Sequence, residues 1–147
     1  MVRENANLKV LIIASGRGKR LASLRKNVPK PLVKLLGLTL IERVILLSKE
    51  CGLRDFLVVV GFEHQKIEEH LAFIERKYNL RIQSVYNPFW DKGNGFSLLQ
   101  AQPFLREDFI LLMSDHLFAP EILKGLILED FNNYGGILCI DRSKKSG

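Results

Sequence analysis

Within Leu11–Leu32 a run of branched aliphatics ends in Ala14-Ser15-Gly16-Arg17-Gly18-Lys19-Arg20-Leu21, and Pro29-Lys30-Pro31 follows shortly after. Gly16 and Gly18 let backbone N–H groups approach an anion and tolerate positive φ, so the loop can form a small concave nest. Arg20 adds a planar fork of donors for phosphate oxygens, and Lys30 adds a compact point charge. Pro29 and Pro31 restrict the backbone around Lys30, which presents its ammonium at low entropic cost. A tight strand-to-helix turn would explain the glycines alone. The coupling to Arg20 and Pro-Lys-Pro favours a cradle for a phosphate chain.

Two familiar phosphate loops fail against this stretch. The dinucleotide pattern GxGxxG needs glycine where Leu21 stands. The pattern GxxxxGK[ST] needs glycine and a hydroxyl where Ile13 and Arg20 stand.

The remaining chemistry-bearing residues exclude several functions. Cys51 and Cys139 make no CxxC pattern, which argues against a zinc site or a disulfide scaffold and for a reducing, cytoplasmic setting. Both are expected to be buried small residues. His64 and His70 fall on different faces of one helix and make no metal pair. The net charge is +6, but the basic residues concentrate between Arg17 and Lys34 and in the tail "DRSKKSG". No aromatic residue interleaves the first cluster, so a base-stacking surface for nucleic acid is not indicated. A pocket for a small polyanion fits better than a nucleic-acid partner.

The elements that must position this loop alternate. "LKVLIIA", "DFLVVV", "RIQSVYN", "DFILLMSD" and "GGILCID" read as strands. "LIERVILLSKECG", "HQKIEEHLAFIERKYN", "NGFSLLQAQ" and "PEILKGLILEDF" read as helices, with Gly52 closing the first and Pro120 opening the last. Strands separated by helices of this length predict right-handed crossovers and a mostly parallel sheet covered on both faces. Ligands in such sheets bind outside the carboxyl ends of the strands, here Ala14–Gly18, Gly61–Phe62, Asn87–Asn94 and Ser114–His116. The 147 residues suit one domain, 1–147, and 47% hydrophobic with 26% charged residues is ordinary for a soluble globular chain. Charges such as Glu42 and Lys49 interrupt every apolar run, so no membrane span is expected, and the N-terminus shows no export signal.

Ala14, Gly16, Gly18, Arg20 and Leu21, then Pro29, Lys30 and Pro31, resemble the signature of the nucleotidyltransferases that join a nucleoside triphosphate to a sugar or alcohol phosphate. Ser15 stands where that family often has alanine, which still leaves room for a nucleotide. "MSDHLF" and "GNGFSLLQA" are closest to the CTP-dependent cytidylyltransferases for inositol 1-phosphate. The resemblance implies an α/β, three-layer Rossmann-like fold with a mostly parallel (mixed) sheet, and CTP plus a sugar- or polyol-phosphate as substrates. It implies catalytic roles for Arg20 and Lys30 and nucleotide contacts from Ala14, Ser15, Gly16 and Gly18. Asp115 matches the position of the Mg²⁺-binding aspartate; a cap for the following turn is the plainer role for it. Asn94 would offer amide donor and acceptor to the cytosine edge, helped by Ser97, or would be a turn residue. His116 is expected to pack or to support a neighbouring ligand residue rather than ligate. Phe89 and Trp90 are expected to cover loop or core surface, with a ring beside the inositol as the alternative.

The same resemblance carries an expectation of absence. The family's second metal carboxylate, a further lysine and other acceptor-binding residues come from later strands. This chain ends at "CIDRSKKSG", where Asp141 matches a strand-end aspartate rather than that second ligand. A truncated or divergent domain is therefore expected, keeping the triphosphate loop with little transferase activity alone and completed by a longer natural chain or a homo-oligomer. Two other functions stay open. One is transfer to a hexose 1-phosphate or phosphocholine from CTP, UTP or dTTP. The other is a nucleotide-binding or regulatory module without catalysis.

Overall fold

β-Branched runs dictate the centre of the molecule. In the computed structural model, which describes residues 8–18, 28–130, 132, 134–140 and 142, strands β1 (Lys9–Ala14) and β4 (Asp55–Val60) are parallel neighbours paired Lys9 to Asp55 through Ala14 to Val60. Every residue from Val10 to Ala14 and from Phe56 to Val60 is buried, as continuous apolar strands require when both faces are covered. Burying each of these Val, Leu, Ile or Phe side chains contributes roughly 1.5–3 kcal/mol. β5 (Arg81–Tyr86) flanks β4 and β6 (Phe109–Met113) flanks β1, both parallel, giving the order β5-β4-β1-β6.

Alternation divides the side chains between two cores. Val10, Ile12, Phe56, Val58 and Ile110 face helices α1 (Leu40–Glu50), α2 (His64–Tyr78) and α4 (Pro120–Leu128), which contribute Val44, Ile67, Leu71 and Leu123. Leu11, Leu57 and Val59 face the other way, toward Ala101 of α3 (Asn94–Ala101). The three layers and the parallel sheet match the expectation from the sequence. α1 ends as its glycine predicts. Gly52, at φ 90°, donates to Lys49 O at 3.0 Å and Leu53 donates to Ser48 O at 3.1 Å, which satisfies the last carbonyls of the helix.

Two features depart from the sequence reading. A two-stranded antiparallel hairpin, β2 (Lys34–Leu35) and β3 (Leu38–Thr39), precedes α1, turning through Leu36 at φ 49° and Gly37 at φ 85°. Positive φ at both turn residues matches the strand twist, and Arg43 offsets the strain at Leu36 by donating to the carbonyls of Leu35 and Leu36. Second, "GGILCID" does not form the expected fifth strand over its described residues. Residues 134–140 carry no regular structure, with Leu138 83% and Ile140 62% exposed. Ordering Gly135 and Gly136 as strand costs more backbone entropy than other residues would, against little packing for an edge position. Cys139 is accordingly exposed rather than buried, and Cys51 is half-buried; both are free thiols. Asp141 lies outside the described residues. No helix among the described residues is long and apolar enough to cross a membrane.

Candidate active site

The parallel strands deliver four loops to one end of the sheet, and a buried polar knot joins two of them, those after β1 and β5. Ser15, at the end of β1, is 2% exposed; Asn87, after β5, and Ser97, in the first turns of α3, are both fully buried. The hydroxyls of Ser15 and Ser97 are hydrogen-bonded at 2.6 Å, and the Asn87 amide donates to Ser97 Oγ at 3.0 Å. Asn87 Oδ1 accepts from the backbone N–H of Phe89 at 2.8 Å, and its own N–H extends the ladder to Val60 O at 2.8 Å. Burying these groups would cost stability if they were unpaired; together they satisfy one another and fix the height of the glycine loop.

Beside the knot the backbone closes tightly. Phe62 donates from its N–H to Ser15 O at 3.0 Å. A Cβ on the neighbouring Gly61 would lie 2.3 Å from Trp90 Cβ and 2.7 Å from Ser15 O, so only glycine lets these segments meet. Trp90 packs edge-on to Phe62 with centroids 5.4 Å apart, and the Arg17 guanidinium lies 5.4 Å from the Phe62 ring centroid. Among the described residues the loop itself is open. Gly16 is exposed with space around it, and Gly18 takes φ 64°, the left-handed conformation that a backbone nest uses.

The charged part of the site comes from opposite directions. Lys30 starts a 3-10 turn, Lys30–Leu32, anchored by buried Pro31 and by Leu32 packing on the main core. Val33 O then accepts from Leu40 N–H at 2.9 Å, tying that turn to the start of α1. Asp115 follows β6, where Ser114 N–H still pairs with Ile13 O at 3.1 Å before the chain turns. The fold brings the two together across 85 positions: Lys30 Nζ donates to Asp115 Oδ2, with the side chains 28% and 20% exposed. Exposed His116 keeps its Nε2 3.9 Å from Asp115 Oδ1.

Of the residues expected from sequence, Ala14, Ser15, Gly16 and Gly18 lie on one loop, and Lys30 and Asp115 meet as an ion pair. Asn94 is exposed as the first residue of α3, after Gly93 at φ 100°, whereas Ser97 is turned inward to Ser15 and Asn87. Arg20 lies outside the described residues. Asn87 and Gly61 were legible only as members of strand-end segments; their polar and steric roles emerge from the fold.

The donor set at Asp115 suits Mg²⁺ held in the manner usual for phosphate substrates, by a carboxylate together with phosphate oxygens and water. Among the described residues no group of three His, Cys, Asp or Glu side chains gathers to hold a metal by protein alone.

A family model described as the MobA-like NTP transferase domain matches residues 10–146. A bifunctional IPC transferase and DIPP synthase of Rubrobacter xylanophilus is 36% identical over 117 residues, covering 79% of this chain and 26% of its own. The choline-phosphate cytidylyltransferase of Streptococcus pneumoniae is 31% identical over 112 residues, covering 76% and 46%. The solved structure of the inositol-1-phosphate CTP transferase from T. maritima superposes with a TM-score of 0.73 at 28% identity, covering 83% of this chain and 49% of that one. The chain thus spans half or less of the length of these relatives. With the matched stretch covering the sheet, the glycine loop and the Lys30–Asp115 pair, the chain belongs to the family of MobA-like NTP transferase domains.

Proposed function

We propose that this chain forms the nucleotide-binding portion of an enzyme that transfers a cytidylyl group from CTP to inositol 1-phosphate, giving CDP-inositol and pyrophosphate. The observation that carries the reading is the meeting of Lys30 and Asp115 beside the open Ser15–Gly18 loop, at the carboxyl ends of β1 and β6. Nucleotidyl transfer depends on positioning and charge neutralisation more than on covalent chemistry with the protein.

In this mechanism a phosphate oxygen of the acceptor attacks the α-phosphorus of CTP. The bond from that phosphorus to the oxygen bridging the β-phosphate breaks, and pyrophosphate leaves. The N–H groups of the Ser15–Gly18 loop hold the triphosphate, and Arg20 grips it and stabilises the leaving pyrophosphate. Lys30 neutralises charge growing at the α-phosphate, an effect that strengthens toward the transition state. Asp115 would hold Mg²⁺, which when bound supplies further charge neutralisation at phosphate oxygens. Asn94 reads the base edge. Ser97 acts from beneath, through Ser15 and Asn87, by fixing the loop against which the nucleotide lies.

A second reading keeps this machinery and changes the acceptor to phosphocholine, supported by the 31% identity to the Streptococcus pneumoniae choline-phosphate cytidylyltransferase. Pyrophosphate release and thermal shift, measured across CTP, UTP, dTTP, ATP and GTP with inositol 1-phosphate, phosphocholine and hexose 1-phosphates, test both. The first reading predicts the largest stabilisation with CTP and any turnover highest with inositol 1-phosphate. Turnover favouring phosphocholine supports the second, and preference for UTP or dTTP contradicts CTP use. Nucleotide binding with no pyrophosphate release under any pairing is what a nucleotide-binding portion alone would give, and the same result from an extended chain would favour a binding module.

A further inference from the structure

Lys30 is the counter-ion of the carboxylate that the proposed mechanism assigns to metal, and both side chains are about three-quarters buried. A divalent cation arriving at Asp115 alone meets an ammonium already on Oδ2. To use that oxygen it must expel Lys30, leaving a positive charge unpaired in a partly desolvated place beside a second, doubly charged cation. The described neighbour of Asp115 Oδ1 is the His116 ring at 3.9 Å, which offers a displaced ammonium no anionic partner. A triphosphate changes the balance, because its oxygens give the ammonium a new anionic partner as they bring further ligands for the metal.

We propose that Lys30 and Asp115 form an electrostatic latch that makes a divalent cation and a nucleoside triphosphate bind together, and that disfavours the cation alone. The proposal rests on the nucleotidyltransferase reading, with Asp115 as metal ligand. Its thermodynamic form is a positive coupling between the two ligands, reciprocal by necessity. Lys30 thereby serves regulation as well as chemistry: it lowers occupancy of the site by metal until the anion that needs neutralising is present.

The test measures Mn²⁺ binding to the protein without nucleotide, by electron paramagnetic resonance of the free ion, in wild type, Lys30→Met, Lys30→Arg and Lys30→Met/Asp115→Asn. Lys30→Met should bind Mn²⁺ about tenfold more tightly than wild type, a modest gain because the pair remains touched by solvent. Lys30→Arg, which keeps the charge, should stay near wild type, and the double variant should lose the gain. An affinity in Lys30→Met no higher than in wild type overturns the latch, as does a gain that survives removal of the Asp115 charge. Lys30→Gln provides the same comparison if Lys30→Met aggregates, with melting curves checking each fold. Failure of wild type to bind CTP would defeat the functional reading and leave the Mn²⁺ comparison intact. Unchanged Mn²⁺ affinity with normal CTP binding would defeat the latch alone.

Discussion

Trp90 is the only tryptophan in the chain, and its Cβ would lie 2.3 Å from any Cβ introduced at Gly61. Gly61→Ala must therefore push apart the ends of β1 and β4 or displace Trp90, at a cost of about 1–3 kcal/mol by the usual scale of overpacking. Urea denaturation followed by tryptophan fluorescence should show that loss together with an altered native emission; unchanged stability and emission would contradict the close approach. Ser97→Ala leaves the buried Asn87 amide and Ser15 hydroxyl short of a partner and should cost about 1–3 kcal/mol. Because the knot sets the loop height, CTP affinity should fall as well. A Ser97→Ala protein with lower stability and unaltered CTP affinity would confine Ser97 to a structural role. The glycine loop and Lys30 could be read from sequence because their chemistry is contiguous. Ser15 and Ser97 were expected as nucleotide contacts, but their bonding to each other and to Asn87 was not legible, since only the parallel register brings the three together.

Helices α1 and α2 are clasped by a buried carboxylate. Glu42 is 3% exposed and accepts from the Tyr78 hydroxyl at 2.7 Å and from Lys77 Nζ at 3.4 Å, with His70 Nε2 3.8 Å away. Burial alone would raise the Glu42 pKa, but the hydrogen bonds from Tyr78 and Lys77 outweigh it and hold the carboxyl below its ordinary 4.5. Burial also holds the His70 imidazole below its ordinary 6.5, against the pull of Glu42 and with help from Lys34 and Lys77. A neutral His70 suits Thr39, whose hydroxyl accepts from Glu42 N–H and lies 2.8 Å from His70 Nε2. Both groups bind protons more weakly folded than unfolded, so each contributes stability that disappears as pH falls. From neutral pH downward, stability should hold to about pH 6.5, decline as pH drops through the lowered His70 value, and decline again below 4.5 as Glu42 protonates. Denaturation midpoints across pH should show two steps, with His70→Asn removing the upper one; a single step below 4.5 in wild type would contradict the His70 assignment. Tyr78→Phe should cost about 2 kcal/mol near neutral pH, the usual worth of a hydrogen bond to a charged group. Helical periodicity made α1 and α2 legible in the sequence, but not this clasp, which joins side chains 36 positions apart. The β2–β3 hairpin escaped for another reason: Leu36-Gly37 is not an Asn-Gly or Asp-Gly turn, and Arg43 from the following helix helps hold it.

At the scale of the molecule, the two faces of the sheet are covered unequally. On the α3 face Leu11 and Leu57 are fully buried, but on β6 Phe109 is 37% and Leu111 47% exposed. An apolar outer strand of this kind favours self-association, so Leu111→Lys should raise the concentration at which light scattering appears. The strands and the mostly parallel sheet were legible from aliphatic runs, whereas the order β5-β4-β1-β6 and the division into two cores come from the fold. The last run misled over residues 135–140, because an apolar pattern marks a strand only when a neighbour and a cover exist to reward it. The central claim concerns the loop end of this sheet, where Lys30 and Asp115 meet beside Ser15–Gly18. Isothermal titration of CTP with Mg²⁺ into wild type and Lys30→Ala tests it most directly, with melting curves reading separately what the loss of the Lys30–Asp115 pair costs the fold. Saturable binding to wild type, weakened about tenfold or more by Lys30→Ala as expected for a lost charge-assisted phosphate contact, is the predicted result. No binding to folded wild type, or equal affinity in the two proteins, would contradict it.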